Sequence, residues 1–166
     1  GFAAMITMLE QRGQFGRRVM EVDYNIYAEE EAELGWLNSQ VEVSGPSEFD
    51  LDALLMDLIG RIHSRLLSSG SEAAHLKVIG LCDGSYAVAN LVSNSTGPEL
   101  SLSSSTKTPS ANIVVNARVA TDPAELESIV RKELAVVCGA VGLNHNVVSL
   151  HSFRPDRPVP TYRIND

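Results

Sequence analysis

The apolar residues of this 166-residue chain change their spacing several times, and these changes limit the fold more than any other feature. In residues 51–69 and 123–141 they recur every three or four positions, the pattern of a helix with one buried side. Between and around these segments they alternate with polar residues, the pattern of a half-buried strand. Two such helices and several such strands predict an α+β domain with one shared core.

Both helices carry start and stop signals. Ser47 or Asp50 can cap the first helix, and Gly70 can adopt the left-handed conformation that ends it. The second begins at Asp122-Pro123-Ala124-Glu125, a pattern typical of a cap, a proline at the first helical position and a glutamate that reaches back to the cap. Gly142 is the expected stop of this second helix.

Five segments alternate as strands do, and Cys82-Asp83-Gly84-Ser85 is a hairpin signal between two of them. The predicted strands cover residues 37–43, 74–81, 86–92, 111–119 and 146–153. We interpret residues 36–153 as a ferredoxin-like β-α-β-β-α-β domain, an antiparallel sheet with both helices on one face. The predicted core joins the helices to the strand residues Leu37, Val41, Val43, Leu76, Val78, Ile113, Val115 and Val119.

An amino-terminal extension, residues 1–35, precedes this domain. We predict in it a short helix, an added strand near Val19–Tyr24 and an acidic helical turn. A tail rich in proline and arginine, residues 154–166, follows on an extended path and either packs over the sheet or reaches another domain. The first residue is not methionine and no signal peptide opens the chain, so we expect a piece of a longer protein.

Residues 93–110 are rich in serine, threonine and proline. They are expected to form a long hairpin connection in which Leu100-Ser101-Leu102 pairs briefly with a neighbouring strand. The alternative is a loop that contacts a ligand or partner.

Composition excludes some functions. The sequence contains no run of about eighteen apolar residues, so no membrane-spanning helix is predicted. Cys82 and Cys138 are not spaced as metal ligands or as a disulfide framework, so we expect a reducing cytoplasm and neither metal nor cofactor.

Residues 1–60 hold twelve acidic and three basic residues, against nine and ten in the remainder. This acidity argues against nucleic acid, and on the sheet we identified only Tyr86 as an aromatic able to stack on a base.

The acidic residues cluster at Glu29, Glu30, Glu31 and Glu33. Such a cluster is typical of a solvated helical face, and the alternative is a docking patch for a basic partner.

The strand face turned away from the helices carries the candidate site. His75, Lys77, Asn90, Asn116 and Arg118 are the predicted ligand or partner residues. Asn38, Gln40, Glu42 and His151 are expected on the same surface. Arginine, lysine, asparagine and histidine together suit a carboxylate or phosphate. The alternative is an ordinary solvated sheet face, where outward positions are normally polar.

No catalytic motif accompanies this face. Phosphate-loop, dinucleotide, zinc-protease, serine-hydrolase and paired-cysteine patterns are all absent from the sequence. The loop Ser44-Gly45-Pro46-Ser47 lacks the arginine of an acylphosphatase. His63 is interpreted as a surface residue and His145 as a turn residue, so we expect no catalytic activity from this chain alone.

Several strings resemble one family. They are Tyr27–Asn38, the helix entry Phe49-Asp50-Leu51, His75-Leu76-Lys77 and Asn116-Ala117-Arg118-Val119. Together they are similar to the region after the nucleotide-binding domain of CobW-like P-loop GTPases, which resemble metal chaperones and cobalamin-synthesis accessory factors. The resemblance covers most of residues 20–153 and implies an accessory domain that meets a GTPase domain or a client protein. The family's phosphate loop and cysteine-rich metal motif are absent, so the resemblance assigns no functional residue.

The leading hypothesis is therefore a non-catalytic accessory or interaction domain. Its partner would be another protein or the GTPase domain of the same full-length chain. The alternative is a regulatory module that binds a small anionic metabolite and forms a homodimer through its sheet.

Overall fold

The computed structural model describes residues 2–10 and 33–156. Its elements in chain order are α1 Phe2–Glu10, β1 Gly35–Asp50, α2 Leu51–Ser69, β2 Ala73–Cys82, β3 Ser85–Leu91, β4 Glu99–Leu102, β5 Lys107–Val119, α3 Pro123–Ala140 and β6 Asn144–Phe153. The predicted strand near Val19–Tyr24, the acidic turn through residue 32 and the tail beyond residue 156 lie outside the described residues.

The predicted starts of both helices and the stop of α2 at Gly70 are confirmed, whereas α3 ends at Ala140, two residues before Gly142, which has φ 69°. The side chain of Asp50 accepts a hydrogen bond from the Ala53 N–H at 2.9 Å, and Gly70 ends α2 at φ 72°. Asp122 caps α3 by accepting from the Ala124 N–H at 2.8 Å. Glu125 differs from its predicted role, because its carboxylate accepts from the Thr121 hydroxyl rather than returning to the cap. The caps at Asp50, Gly70 and Asp122 are predictable from sequence because each involves residues fewer than five positions apart.

The described strands form one antiparallel sheet of six strands in the order β4-β3-β2-β5-β1-β6. The predicted α+β class and antiparallel sheet are confirmed. The β-α-β-β-α-β order is not confirmed, because four strands, β2 to β5, separate α2 from α3. β4 is one of them, and its pairing with β3 confirms the expected brief pairing of residues 100–102.

The core lies between the sheet and the two longer helices. α2 packs on β2 and β3, α3 packs on β1 and β6, and the two helices contact each other. All eight predicted strand residues are buried there, together with Leu58 and Val130 of the helices. Val141, which was expected on the buried side of α3, is instead 55% exposed because the helix ends one residue before it.

Three other details differ from the sequence predictions. β1 continues through the expected loop Ser44–Ser47, with a change of register between Ser44 and Phe49. His145 lies in β6 opposite Val43 and is not a turn residue. His63 is half-buried, with Nε2 3.1 Å from the backbone oxygen of Asn94. Each depends on contacts with distant residues, which no local pattern specifies.

Candidate functional site

The side of the sheet turned away from α2 and α3, called here the open face, carries all five predicted site residues. Strand register arranges its side chains in rows across the sheet. One row contains His151, Asn38, Asn116, Lys77, Asn90 and Glu99, from β6 to β4. The next contains Phe153, Trp36, Arg118 and His75. The structure therefore brings the predicted residues together on two adjacent rows, with Gln40 and Glu42 farther along β1.

Arg118 is held by an aromatic neighbour that the sequence prediction did not include. Its guanidinium carbon lies 3.9 Å from the centroid of the Trp36 ring. Trp36 in turn contacts Phe153, with ring centroids 6.0 Å apart. A guanidinium stacked on an aromatic ring keeps its N–H edges free to bind an anion. Trp36 was missed because the predicted strand begins at residue 37, although alternation within β1 puts Trp36 on the same side as Asn38. Its pairing with Arg118 follows only from the strand register.

His75 lies beside Arg118 on β2, and Lys77 follows two residues later on the same side. Partial burial, then the nearby charges of Lys77 and Arg118, lower the pKa of His75 below its usual 6.5. We call these three residues the basic cluster. Within residues 2–10 and 33–156, neither Lys77 nor Arg118 forms an ion pair. The basic cluster therefore concentrates positive charge, with no carboxylate of the described residues at ion-pair distance from Lys77 or Arg118.

Asparagine side chains border the basic cluster. Asn116 lies opposite Lys77 and Asn38 in the register, while Asn90 lies on the other side of Lys77. The amide of Asn90 donates to the hydroxyl of Ser101 at 2.7 Å. Its Oδ1 atom and the Nε1 atom of Trp36 are buried without a hydrogen-bond partner among the described residues. The rows thus hold further polar side chains next to the positive charges.

An apolar surface adjoins the basic cluster, and the sequence prediction did not anticipate it. We call it the apolar strip, formed by Ile79, Leu81, Tyr86, Val88 and Val114 on β2, β3 and β5. Leu81 is 42% exposed and Tyr86 is 56% exposed. From Val78 to Leu81 the residues of β2 no longer alternate with polar ones. Such an unbroken apolar run indicates a strand that is apolar on its second face as well.

A well-formed cleft among the described residues lies elsewhere and contains none of the predicted site residues. It has a volume of about 490 Å³ and lies between the end of β1, the start of α2 and the end of α3. Two of its three acidic groups already have structural roles, since Asp50 caps α2 and Asp57 pairs with Arg61 at 2.8 Å. The open face therefore remains the candidate site.

Residues 2–10 and 33–156 contain neither a cluster of metal ligands nor a membrane-spanning helix. In these ranges no three histidine, cysteine, aspartate or glutamate side chains are placed to hold a metal ion. No helix in this part of the chain is long and apolar enough to cross a membrane.

Comparison of the chain with protein-family models, with curated proteins and with solved structures found no match. The geometry of the open face is therefore the basis of the functional argument.

Proposed function

We propose that this chain is a non-catalytic interaction domain whose basic cluster binds a carboxylate group of a protein partner. The observation that carries the proposal is the placement of Arg118, Lys77 and His75 on two adjacent rows of the open face, without an ion-pair partner among the described residues. An arginine held on a tryptophan binds a carboxylate through two parallel hydrogen bonds, and a nearby lysine adds charge.

An ordinary solvated face explains this arrangement less well. The positive groups are close enough that Lys77 and Arg118 help to lower the pKa of His75. Like charges at this distance disfavour one another, and an anion between them relieves that repulsion. On a solvated face this repulsion opposes the stacking of Arg118 on Trp36, whereas on a binding face it adds to the affinity for an anion.

A protein partner fits better than a nucleic acid. The whole chain carries a formal net charge of −8. It is repelled along the entire charged backbone of a nucleic acid, whereas a short protein segment with a few carboxylates can be held at the basic cluster with less repulsion. Trp36 and Phe153 add aromatic rings to the open face beyond Tyr86, but one face of Trp36 is covered by Arg118. A base therefore cannot stack on that side of Trp36 unless Arg118 moves.

The proposal extends to the topology, the family and the cellular location of the chain. Strands β6, β1, β5 and β2 with α2 and α3 would form a ferredoxin-like unit, into which β3 and β4 are inserted. The resemblance to the carboxy-terminal region of CobW-like GTPases would make the partner a GTPase domain or its client. Free thiols at Cys82 and Cys138 are compatible with a cytoplasmic location.

Calorimetric titration with a hexaglutamate peptide tests the proposal. The double charge reversal K77E/R118E should weaken binding more than about tenfold, a change of about 1.4 kcal/mol or more. The unfolding free energy should fall by only about 1 kcal/mol, because Arg118 is exposed and loses mainly its stacking on Trp36. Equal binding by wild type and K77E/R118E would contradict the proposal.

The variant K107E/K132E is the matched control, since it makes the same charge change at exposed positions away from the basic cluster, one at the opposite end of β5 from Arg118 and one on α3. It should weaken binding less, and added salt should remove its effect, because screening acts on distant charges first. Free glutamate as a second ligand tests the alternative of a small metabolite. Glutamate that binds as tightly as hexaglutamate would favour the metabolite module over a protein partner.

A further inference from the structure

The outward residues of β2 change character along the strand. They are His75, Lys77, Ile79 and Leu81, so two basic positions are followed by two apolar positions. On the neighbouring strands, Val114 of β5 and Val88 of β3 lie opposite Ile79, and Tyr86 lies opposite Leu81. The basic cluster and the apolar strip are thus one continuous surface with a charged end and an apolar end.

An exposed apolar surface beside a charged one is typical of a docking site. The open face offers few backbone groups to a ligand, because those of neighbouring strands pair with each other in the plane of the sheet. An extended peptide on the apolar strip would therefore bury unpaired N–H and C=O groups, at considerable cost. A helix satisfies its own backbone groups and avoids that cost.

We infer that the partner segment is an acidic amphipathic helix that lies along β2, with carboxylates over the basic cluster and apolar side chains over the apolar strip. This inference depends on the proposed carboxylate site and adds the partner's secondary structure and orientation. Four outward positions span three two-residue steps, or roughly 20 Å at about 3.3 Å per residue. A helix of about 13 residues has that length.

The test uses three synthetic helical peptides of equal length. The first has glutamates at one end, and at the other end leucines spaced so that they lie on one side of the helix. The second has serine in place of each leucine. The third has glutamine in place of each glutamate. The first should bind at least about tenfold more tightly than either of the others, because each lacks one half of the surface match. Amide shift mapping should place it on β2, β3 and β5.

Variants of the protein test whether the leucines of the first peptide bind to the apolar strip. L81S/Y86S should reduce binding of the first peptide to about that of the serine peptide and leave binding of the serine peptide unchanged. Both residues are well exposed, so folding should persist, and a thermal melt checks this. V136S on the outer side of α3, where Val136 is 46% exposed, is the control and should have no effect.

The outcomes separate this inference from the proposed function. Equal binding of the glutamate–leucine and glutamate–serine peptides, with no effect of L81S/Y86S, would overturn the helix inference and leave the carboxylate site standing. Binding that depends on L81S/Y86S but not on K77E/R118E would overturn both. Self-association of the chain through the apolar strip, or tighter binding of a single-stranded RNA oligonucleotide, would also overturn the inference.

Discussion

The carboxylate of Asp52 is fixed by Ser104, whose backbone N–H and hydroxyl both donate to Oδ1, at 2.9 and 2.8 Å. The Ser103 hydroxyl and the Ser105 N–H donate to Oδ2 at 2.6 and 2.9 Å. These bonds connect the first turn of α2 to the segment before β5. Burial alone would raise the pKa of Asp52, but the hydrogen bonds from Ser103, Ser104 and Ser105 outweigh it and lower the pKa to about 2.

Replacing this carboxylate tests its contribution to stability. Asp52→Asn should lower the unfolding free energy by about 1 to 3 kcal/mol near neutral pH, since hydrogen bonds to a charged group are lost. The folded pKa lies below the unfolded value of 3.8, so the stabilisation is complete above about pH 4 and disappears as the pH falls toward 2. Urea denaturation across this pH range measures the difference between wild type and variant.

Asp57→Asn is the control on the same helix. Asp57 is 46% exposed and pairs with Arg61 across one turn, so its loss should cost only a few tenths of a kcal/mol. An equal effect of the two substitutions, or a wild-type advantage over Asp52→Asn that persists at pH 2, would contradict the role assigned to the serine segment.

The core prediction concerns two leucines of α2. Leu58 is 1% exposed and Leu67 is 53% exposed. Leu58→Ala should lower the unfolding free energy by about 2 to 4 kcal/mol, because it leaves a cavity between α2 and the sheet. Leu67→Ala should change it by less than about 0.5 kcal/mol. Equal denaturant midpoints for the two variants would contradict the burial of Leu58 between α2 and the sheet.

Two glycines should respond oppositely to alanine. A Cβ atom on Gly80 would lie 2.7 Å from Cδ1 of Leu51, which is fully buried, so Gly80→Ala should destabilise the fold by about 1 to 3 kcal/mol. A Cβ atom on Gly60, inside α2, meets nothing within 4 Å, so Gly60→Ala should stabilise it by about 0.5 to 1 kcal/mol. Thermal unfolding curves that shift in the same direction would contradict this placement of α2 on the sheet.

The sequence predicts the parts of this fold that depend on near neighbours. The caps of α2 and α3 and the turn at Asp83 and Gly84, with φ values of 40° and 81°, follow from residues adjacent in the chain. The buried strand residues follow from alternation. The strand order does not, because it depends on pairing between segments as distant as β1 and β6.

The same distinction applies to the candidate site. Alternation alone placed His75, Lys77, Asn90, Asn116 and Arg118 on an outward surface. Their arrangement in rows required the register of five strand pairs. The stacking of Arg118 on Trp36 and the apolar strip beside Lys77 required it as well, so the chemical character of the surface was visible only in the folded chain.

The imidazole of His75 reports most directly on the central claim that the basic cluster is an anion site. A pH titration of the histidine ring signals by NMR, with and without saturating hexaglutamate, measures its pKa in both states. Without peptide the value should lie below 6.5, because of partial burial and the charges of Lys77 and Arg118. Hexaglutamate should raise the pKa of His75, since a bound carboxylate favours the protonated ring. A pKa of His75 unchanged by the peptide, under conditions where calorimetry detects binding, would place the anion elsewhere and contradict the account.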